Sequence, residues 1–323
     1  MMGYLVRIVT TVLALFIWPR AALPAEPHWP SSLVIGTAAP DGTYAVYGEG
    51  LARILTRELG LPVATRLTEG PVENVKLLEA GEIQLAFVTM GVALQGWNGT
   101  GDWTGGRQFR TMRALFPMYE TVFQIAVPRN SPIQSVADLN GKRVGVGPQG
   151  GTTSVYAPEI FKALKVAPAL SNGEWADLIN QAQGQALDAM LVAGGVPFPA
   201  LLQFERQGIR YLPLNPQQTT DVRLAIPELA PSIVPAGVYP SLNRGYQTVG
   251  VYNFAVARSD LPDDLAYAIV DVVFSHQDEL IEAHPAAAET VPARFTRNTF
   301  LPFHGGATRW YSSQFTTGVD RGD

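Results

Sequence analysis

The chain has 323 residues and a formal net charge of −5 at pH 7, so nucleic acid is excluded as an expected partner. It contains no cysteine, which excludes disulfides, thiolate metal ligands and a cysteine nucleophile. A chain of this length usually divides into two lobes rather than building one core. With 31 Gly, 25 Pro and 16% charged residues, the composition predicts many tight turns between well-buried strands.

The first 25 residues have the pattern of an export signal. Arg7 supplies a positive start, the run from Ile8 to Trp18 an apolar core, and Ala21 to Ala25 a small-residue exit. We predict cleavage between Ala25 and Glu26, a signal peptide of residues 1–25 and a periplasmic mature protein. A retained membrane anchor is the alternative, although the apolar run is shorter than the ~20 residues of a spanning helix.

Strand, turn and helix alternate along the first part of the mature chain. The run LVIGTAA, from Leu33 to Ala39, is an apolar strand, and apolar residues at spacings of three and four then predict a helix from about Tyr44 to Leu59. A second helix should end at Gly81 and lead into a strand over Ile83–Val88. Because that strand is apolar on both faces, it is typical of a buried parallel sheet.

A similar passage follows about a hundred residues later. In INQAQGQALDAMLVAGG, the residues Gly184, Ala189 and Val192 repeat the offsets of Gly81, Ala86 and Thr89. The repeat indicates two similarly built α/β lobes, while a chance match remains open because helix, glycine and strand are common neighbours in α/β proteins. After it, DDLAYAIVDVVFSHQDELIEAH predicts one long amphipathic helix.

Two long apolar strands, VFQIAVP and VGVYNFAVA, have the pattern of crossings between lobes. We therefore predict a first lobe of residues 31–121 plus 250–323 and a second lobe of residues 122–249. Ligands of open α/β sheets bind at the carboxyl ends of strands. The turns after Gly36, Val88, Val146 and Val192 are the candidate cleft.

The stretch GVGPQGGTTS combines Gly145, Gly147 and Gly150 behind a strand and before a helix, which resembles a dinucleotide-binding turn. That interpretation fails because Pro148 and Gly151 lengthen the turn and no acidic residue ends a second strand about twenty residues on. A helix N-terminus with free N–H groups beside threonine hydroxyls still suits a carboxylate. Ordinary capping of the helix by Thr153 is the compatible alternative.

Motifs for catalysis are missing from the sequence. Its histidines are too scattered for a compact metal site, and His276 and His284 are expected on the surface. Neither a nucleophile elbow nor a phosphate loop occurs. Glu69 and Glu73 could form an acid/base pair, but complementarity to a helix dipole explains them more simply. We expect no enzyme activity, no cofactor and no metal.

Five stretches, in order, resemble the TAXI family of solute receptors of tripartite ATP-independent periplasmic (TRAP) transporters. They extend from about Leu33 to Tyr311: GTAAPDGTYAVYGEGLARIL, TEGPVENVKLLEAGEIQLAFVTMGVA, LFPMYETVFQIAVPRNSPIQSVADLNGKRVGVGPQGGTT, LVAGGVPFPAL and IVPAGVYPSLNRGYQTVGV. The resemblance implies an α/β fold, a two-lobe periplasmic binding protein of the type II class with its ligand cleft between the lobes. It implies a small carboxylate ligand such as glutamate, glutamine or 2-oxoglutarate, TRAP membrane subunits as partners, and a monomer.

Carried over by motif, the implied ligand shell takes residues from several turns of both lobes: Thr37, Thr43, Tyr44, Gly70, Asn74, Thr89, Tyr119, Gly151, Thr152, Thr153 and Tyr239. Arginine is not the expected anchor. The chain departs from relatives at Ala38 and Ala39, where Gly is frequent, at the single Tyr44, and at Met90, where a hydroxyl is common. Met90 predicts a less polar wall of the pocket.

Other functions compete with this interpretation. A receptor for an ATP-driven importer would share the fold, although the local motifs disfavour it. A scaffold or signalling receptor that binds a partner through the same cleft also remains open. A porphobilinogen-polymerising transferase of this fold is excluded, because it needs a cysteine to hold its cofactor.

Overall fold

The computed structural model describes residues 26, 28–206 and 208–316. The predicted signal peptide of residues 1–25 lies outside the described residues. Among those that are described, no helix has both the length and the hydrophobicity needed to cross a membrane.

The described chain forms one curled, mixed sheet with helices packed on it. Its strands are β1 (Leu33–Gly36), β2 (Val63–Arg66), β3 (Leu85–Thr89), β4 (Met112–Pro128), β5 (Arg143–Gly145), β6 (Ala169–Ser171), β7 (Ala189–Gly194), β8 (Ile209–Tyr211), β9 (Ala230–Val234) and β10 (Tyr246–Arg258). The α-helices are α1 (Thr43–Leu59), α2 (Pro71–Ala80), α3 (Met90–Asn98), α4 (Thr152–Ala163), α5 (Trp175–Gln183), α6 (Pro199–Glu205), α7 (Pro216–Ala225), α8 (Asp263–Ser275), α9 (Gln277–Ala283) and α10 (Gly305–Thr316). Short 3₁₀ turns lie at Asp102–Thr104, Val136–Leu139, Pro285–Glu289 and Pro292–Arg297.

The strand order is β2-β1-β3-β10-β4-β7-β5-β6, with β8 on β4 and β9 on β10. The pairs of β1 with β2 and β3, and of β5 with β6 and β7, are parallel. We call the elements around β1, β2 and β3 the first lobe, and those around β5, β6 and β7 the second lobe. The α/β fold with two lobes predicted from the sequence is confirmed.

Two unusually long strands carry the sheet from one lobe into the other. β4 has 17 residues and β10 has 13, against about five or six in an average strand. They pair antiparallel with each other, and β10 also pairs with β3 while β4 pairs with β7. The predicted lobe boundaries at residues 121/122 and 249/250 fall inside these two strands, and their positions stay a prediction.

The two ends of the continuous ladder pack in different hydrophobic clusters, although Val72, Val92 and Ala39 of the first lobe join clusters of the second lobe. Ile35 belongs to a cluster that includes Trp310 and Tyr311 of α10, so the end of the described chain packs in the first lobe. Val146 belongs to a different cluster with Tyr156 of α4. β1, which contains Ile35, and β5, which precedes Val146, nevertheless belong to one hydrogen-bonded sheet, a continuity that the sequence did not predict.

Several local predictions are confirmed. α1 spans the predicted helix, and α2 ends at Gly81, which has φ 79° and is the left-handed residue that glycine favours there. The repeat is present as structure too, because α5 ends at Gly184 and leads into β7. Its turn differs in detail: Gly184 has φ −80°, and Gln185 takes the positive φ of 60°.

The prediction of one continuous helix after the second lobe is wrong. The structure breaks it into α8 and α9 at His276, whose φ of −123° leaves the helical region. The ring Nδ1 of His276 lies 2.9 Å from the carbonyl of Val272. The expectation that His284 lies on the surface is also wrong, because it follows α9 and is 3% exposed.

Candidate ligand cavity between the lobes

A cavity lies where the two lobes meet. Its walls come from the carboxyl ends of β1, β5 and β7 and from the crossing strand β4. The lining residues are Ala38, Ala39, Gly42, Thr43, Tyr44, Glu69, Gly70, Pro71, Tyr119, Thr121, Pro148, Gly151, Thr152, Thr153, Trp175, Ala193, Gly194 and Phe198.

The structure brings seven residues of the implied ligand shell together in this cavity. They are Thr43, Tyr44, Gly70, Tyr119, Gly151, Thr152 and Thr153. Three of the four turns proposed as the cleft contribute, namely those after β1, β5 and β7. The turn after β3 does not line it.

Four residues of the implied shell do not line the cavity, and each except Thr89 is held by the protein itself. Thr37 Oγ1 donates to the Arg66 carbonyl at 3.0 Å. The Nδ2 of Asn74 donates to the carbonyls of Thr37 and Phe87, which ties α2 to two strands. Thr89 Oγ1 is buried, and none of the described residues pairs with it.

Tyr239 is the fourth, and it lies under the cavity wall rather than in it. Its hydroxyl accepts a hydrogen bond from the backbone N–H of Phe198 at 2.8 Å, while its ring stacks on Tyr211. Tyr239 therefore positions the start of α6, whose N-terminal residue Phe198 does line the cavity.

Helix N-termini converge on the cavity from both lobes. The N-terminal flanking residues of α1, α2, α4 and α6 are Gly42, Gly70, Gly151 and Phe198, and all four line it. None of these helices has a side-chain cap. The first N–H groups of a helix have no partner inside the helix, and they carry a partial positive charge. These helix starts direct partial positive charge at the cavity, although the N–H groups of Val72 and Ala200 already donate to carbonyls and Glu69 is also in the lining. None of the described lining residues is Lys or Arg.

The turn before α4 has the arrangement that suits an anion. Gly151 is the N-terminal flanking residue, so the capping role considered for Thr153 is wrong: both threonines lie inside the first turn. Thr152 and Thr153 are 7% and 2% exposed, and their hydroxyls form no hydrogen bond with the described residues. Two hydroxyls and the free N–H groups of one helix turn are thus available to a ligand.

A buried polar network connects the cavity wall to both crossing strands. Tyr44 Oη donates to Asn253 Oδ1 at 2.6 Å, and Asn253 Nδ2 donates to the carbonyl of Tyr119 at 2.6 Å. Thr121 Oγ1 lies 3.0 Å from the same Oδ1. Asn253 is on β10, while Tyr119 and Thr121 are on β4. The network therefore fixes Tyr44 against the two crossing strands, which we call the hinge.

The Tyr119 hydroxyl is the buried donor that the protein leaves unsatisfied in this wall. Tyr119 is fully buried, and no described residue pairs with its Oη. Burial raises the pKa of Tyr119 well above its usual range, so the phenol stays protonated and can donate. An unpaired buried donor is costly, which favours a ligand acceptor at this position.

Aromatic rings make most of the cavity apolar. Trp175 and Phe198 of the second lobe pack edge to face at 5.1 Å, and Tyr44 and Tyr119 face them from the first lobe and the hinge. Met90, expected to reduce the polarity of this wall, lies instead in another cavity with Glu120 and Tyr252. That expectation is wrong because α3 begins at Met90 and leads the chain away from the cleft.

The two lobes touch each other around the cavity. The Val72 N–H donates to the Gly150 carbonyl at 3.4 Å, and Thr43 Oγ1 donates to the Gly195 carbonyl at 3.0 Å. The Asp41 carbonyl accepts from the N–H of Ala200 at 3.1 Å. We call this arrangement, in which hydrogen bonds join the two lobes beside the cavity, the closed arrangement.

His284 supports the same closed arrangement from outside the cavity. Its Nδ1 accepts from the N–H of Ala286, so Nε2 carries the proton and donates to the Pro197 carbonyl at 3.1 Å. The ring also stacks on Tyr119. Burial lowers the pKa of His284 to about 4, so the neutral form is present near pH 7.

The residues that the sequence analysis missed are of two kinds. Small residues and prolines surround the turns: Ala39, Gly42, Pro71, Pro148, Ala193 and Gly194. Thr121, Trp175 and Phe198 add polar and aromatic contacts. The one usable signal was position, because most follow a strand end or start a helix. Trp175 is the first residue of α5, but the sequence gave no signal that its ring would reach the cavity, since its place depends on how α5 packs.

The arrangement offers little for catalysis. Glu73 Oε2 accepts from the N–H of Glu69 at 2.8 Å, so Glu73 serves the start of α2, and Glu69 is an exposed residue at the cavity edge. No group of three or more His, Asp or Glu among the described residues could hold a metal ion.

Solved structures with the same fold span nearly the whole chain. One, a periplasmic transporter protein, is 13% identical with a TM-score of 0.52, and the match covers 94% of this chain and 98% of that chain. Another, a protein from Bordetella bronchiseptica RB50, is 14% identical with a TM-score of 0.51, and the match covers 91% of each chain. At these identities the likeness establishes the fold alone.

The model of one protein family matches residues 35–314, a span that contains every lining residue of the cavity and both crossing strands. The chain therefore belongs to the NMT1-like family.

Proposed function

We propose that this protein is the periplasmic solute-binding subunit of a TRAP transporter of the TAXI family. In this role it captures a small carboxylate and presents it to membrane subunits that use an ion gradient. The five sequence stretches that resemble the TAXI family support the transporter class. Membership in the NMT1-like family and the two-lobe fold support a solute-binding role.

The observation that carries the proposal is the cavity that both lobes close around, with helix N-termini as its source of positive potential. A carboxylate at the start of α4 would accept from the first N–H groups and from the hydroxyls of Thr152 and Thr153. Hydrogen bonds to a charged group each contribute roughly 1.5–3 kcal/mol. No arginine is needed for such a site, in agreement with the lining.

The rest of the cavity restricts the size and polarity of the ligand. With four aromatic rings in its walls, the cavity suits a compact molecule with a short apolar body. The Tyr119 hydroxyl supplies a second polar contact on the hinge side. Thr43 does not supply one in the closed form, because its hydroxyl already donates to Gly195. Glutamate, glutamine and 2-oxoglutarate are the candidates that the family resemblance implies.

Binding without turnover follows from the same side chains. No nucleophile with an adjacent base lies among the described lining residues, so the bound compound should be released unchanged. We also propose that the signal of residues 1–25 is removed in the periplasm, that the mature chain acts as a monomer, and that the lobes meet at residues 121/122 and 249/250.

A ligand screen tests the proposal. Mature protein of residues 26–323 is heated with glutamate, glutamine, 2-oxoglutarate and, as a cationic contrast without a carboxylate, agmatine. We expect one of the three carboxylates to raise Tm and agmatine to have no effect, because a ligand at 100 times its Kd stabilises by about 2.7 kcal/mol. The compound recovered after incubation should be chemically intact.

Two results would contradict the proposal. Conversion of the compound by protein free of contaminating enzymes would indicate an enzyme. Preferential binding of agmatine, which has no carboxylate, would contradict the anion-binding interpretation of the helix N-termini. Uptake by cells that carry the TRAP membrane subunits, abolished by collapse of the ion gradient and retained without ATP, separates this receptor from that of an ATP-driven importer.

A further inference from the structure

A second cavity, of about 1420 Å³, opens on the second lobe. Arg129, Arg210 and Arg244 line it, together with Tyr211, Ser241 and Tyr246. None of these residues lines the cavity between the lobes. We call this second space the arginine cavity.

The arginine cavity lies at the opposite end of the second-lobe sheet from the cleft. β7 runs from Ala189 to Gly194, and Gly194 lines the cleft cavity. On β4, Ala126 pairs with Met190 and Pro128 with Ile209, so Arg129 follows the end of β4 beyond the start of β7. At about 3.3 Å per residue, the two cavities are roughly 20 Å apart along the strand.

Positive charge accumulates in this cavity although the whole chain is acidic. Three arginines face it, whereas no Asp or Glu is among its described lining residues, and the chain has a net charge of −5. Glu205, which is outside the lining, accepts hydrogen bonds from two lining residues, from Ser241 Oγ at 2.6 Å and from Tyr211 Oη at 2.8 Å. Arg129 and Arg244 are exposed and form no ion pair with the described residues.

Two buried donors in the wall have no acceptor among the described residues. They are the Tyr246 hydroxyl and the Nε of Arg210. The Nη2 of Arg210 donates to the carbonyls of Ser131 and Ile133, which holds the guanidinium in place. The ring of Tyr246 is held as well, because it stacks on Tyr211 at 5.6 Å. Fixed, buried and unpaired donors indicate that an acceptor is missing.

We propose that the arginine cavity is a second binding site, separate from the cleft, for a small molecule that carries a phosphate or pyrophosphate group. Guanidinium groups match phosphate oxygens with paired N–H bonds, and such charge-assisted bonds are among the strongest in proteins. Arg129 and Arg244 supply the paired cationic contacts, Arg210 adds its charge and its Nε–H, and Tyr246 donates a further hydrogen bond. The lining places three arginines around one space, which suits a group with several charged oxygens, a phosphate ester or pyrophosphate.

Calorimetric titration of the mature chain with sodium pyrophosphate, at constant ionic strength, tests the site. We expect binding that weakens at least tenfold in the Arg129→Gln, Arg244→Gln double variant. The matched control is Arg223→Gln, an exposed arginine on α7 in the same lobe, which should bind pyrophosphate like the parent. Parallel titrations with inorganic phosphate and glycerol phosphate separate a free phosphate from an ester as the source.

Tyr246→Phe provides a second variant that does not depend on surface charge. Since the hydroxyl has no described protein partner, its removal should leave folding intact and weaken pyrophosphate binding severalfold. No binding of pyrophosphate at millimolar concentration would overturn the proposal, as would equal affinity in the double arginine variant. Citrate binding as tightly as pyrophosphate would overturn the phosphate assignment, and competition with the cleft ligand would show that the sites are not separate.

Discussion

Gly70 and Gly151 meet backbone to backbone across the cleft: a Cβ placed on Gly70 would lie 2.9 Å from the Cα of Gly151. Gly70 also has φ 135°, a conformation that L side chains rarely adopt. Closure of the two lobes therefore depends on the absence of a side chain at residue 70.

The first prediction is that Gly70→Ala prevents full closure. The added methyl group would contact backbone that cannot rotate away, so affinity for the carboxylate found by the screen should fall at least tenfold. Gly237→Ala is the matched control, because Gly237 has φ 78° but nothing within 4 Å of the added Cβ. Calorimetry on both variants checks this, and equal affinities would show that closure does not require the Gly70 contact.

A second prediction concerns Thr152 and Thr153. Removal of both hydroxyls by Thr152→Ala, Thr153→Ala should weaken carboxylate binding at least tenfold, or about 1.4 kcal/mol, because two charge-assisted hydrogen bonds are lost. Stability should change little, since neither residue caps α4. The Thr152→Ser, Thr153→Ser variant keeps the hydroxyls and should keep the affinity. Unchanged affinity in the alanine variant would show that the carboxylate does not bind to the threonine hydroxyls of this turn.

Asn253 is predicted to be a stability determinant of the hinge. Asn253→Ala leaves the buried Tyr44 hydroxyl and the Tyr119 carbonyl without their partner, which should cost about 2–4 kcal/mol of unfolding free energy. Urea unfolding measures the loss. Asn243→Ala, at an exposed residue, should stay within about 0.5 kcal/mol of the parent. A comparably small effect at Asn253 would mean that water replaces the amide.

The pH dependence of stability should carry the signature of His284. Its pKa is about 4 in the folded protein, lowered first of all by burial, against 6.5 in the unfolded chain. Between these values the unfolded state binds more protons, so stability is fully present above pH 6.5 and is lost as the pH falls toward 4. At 1.36 kcal/mol per pKa unit, the full contribution is about 3 kcal/mol.

The variant His284→Gln should reduce this slope, because the amide can replace both ring hydrogen bonds without titrating. Part of the slope should remain, since burial lowers the pKa of His304 as well. Thermal unfolding of both proteins from pH 4 to pH 7 is the measurement. An identical slope in parent and variant would exclude His284 as a contributor.

The sequence predicted those helices and strands whose signals lie within one short segment. Apolar residues at helical spacing identified α1, and Gly81 marked the end of α2, because periodicity and glycine punctuation act within a few residues. The break at His276 escaped notice because the apolar pattern continues through α8 and α9 while the backbone does not.

The candidate site was accessible only in part, for a geometric reason. The family resemblance implied Thr43 and Gly70 and the glycine-rich turn indicated Thr152, and all three line the cavity. Their positions agree with the rule that the carboxyl ends of parallel strands share an edge. Thr37 and Asn74 lie at similar positions in the sequence, yet their side chains satisfy backbone groups instead. Which way a polar side chain turns depends on partners that are distant in sequence.

The amino-acid sequence by itself determined the α/β alternation, the two lobes, the long crossing strands and the lack of cysteine chemistry, because these follow from composition and local periodicity. Only the tertiary structure decided that Gly70 meets Gly151, that Trp175 and Phe198 close the cavity, and that three arginines gather at the far end of the second lobe. Such contacts join residues tens to hundreds of positions apart, and no local pattern encodes the packing that brings them together.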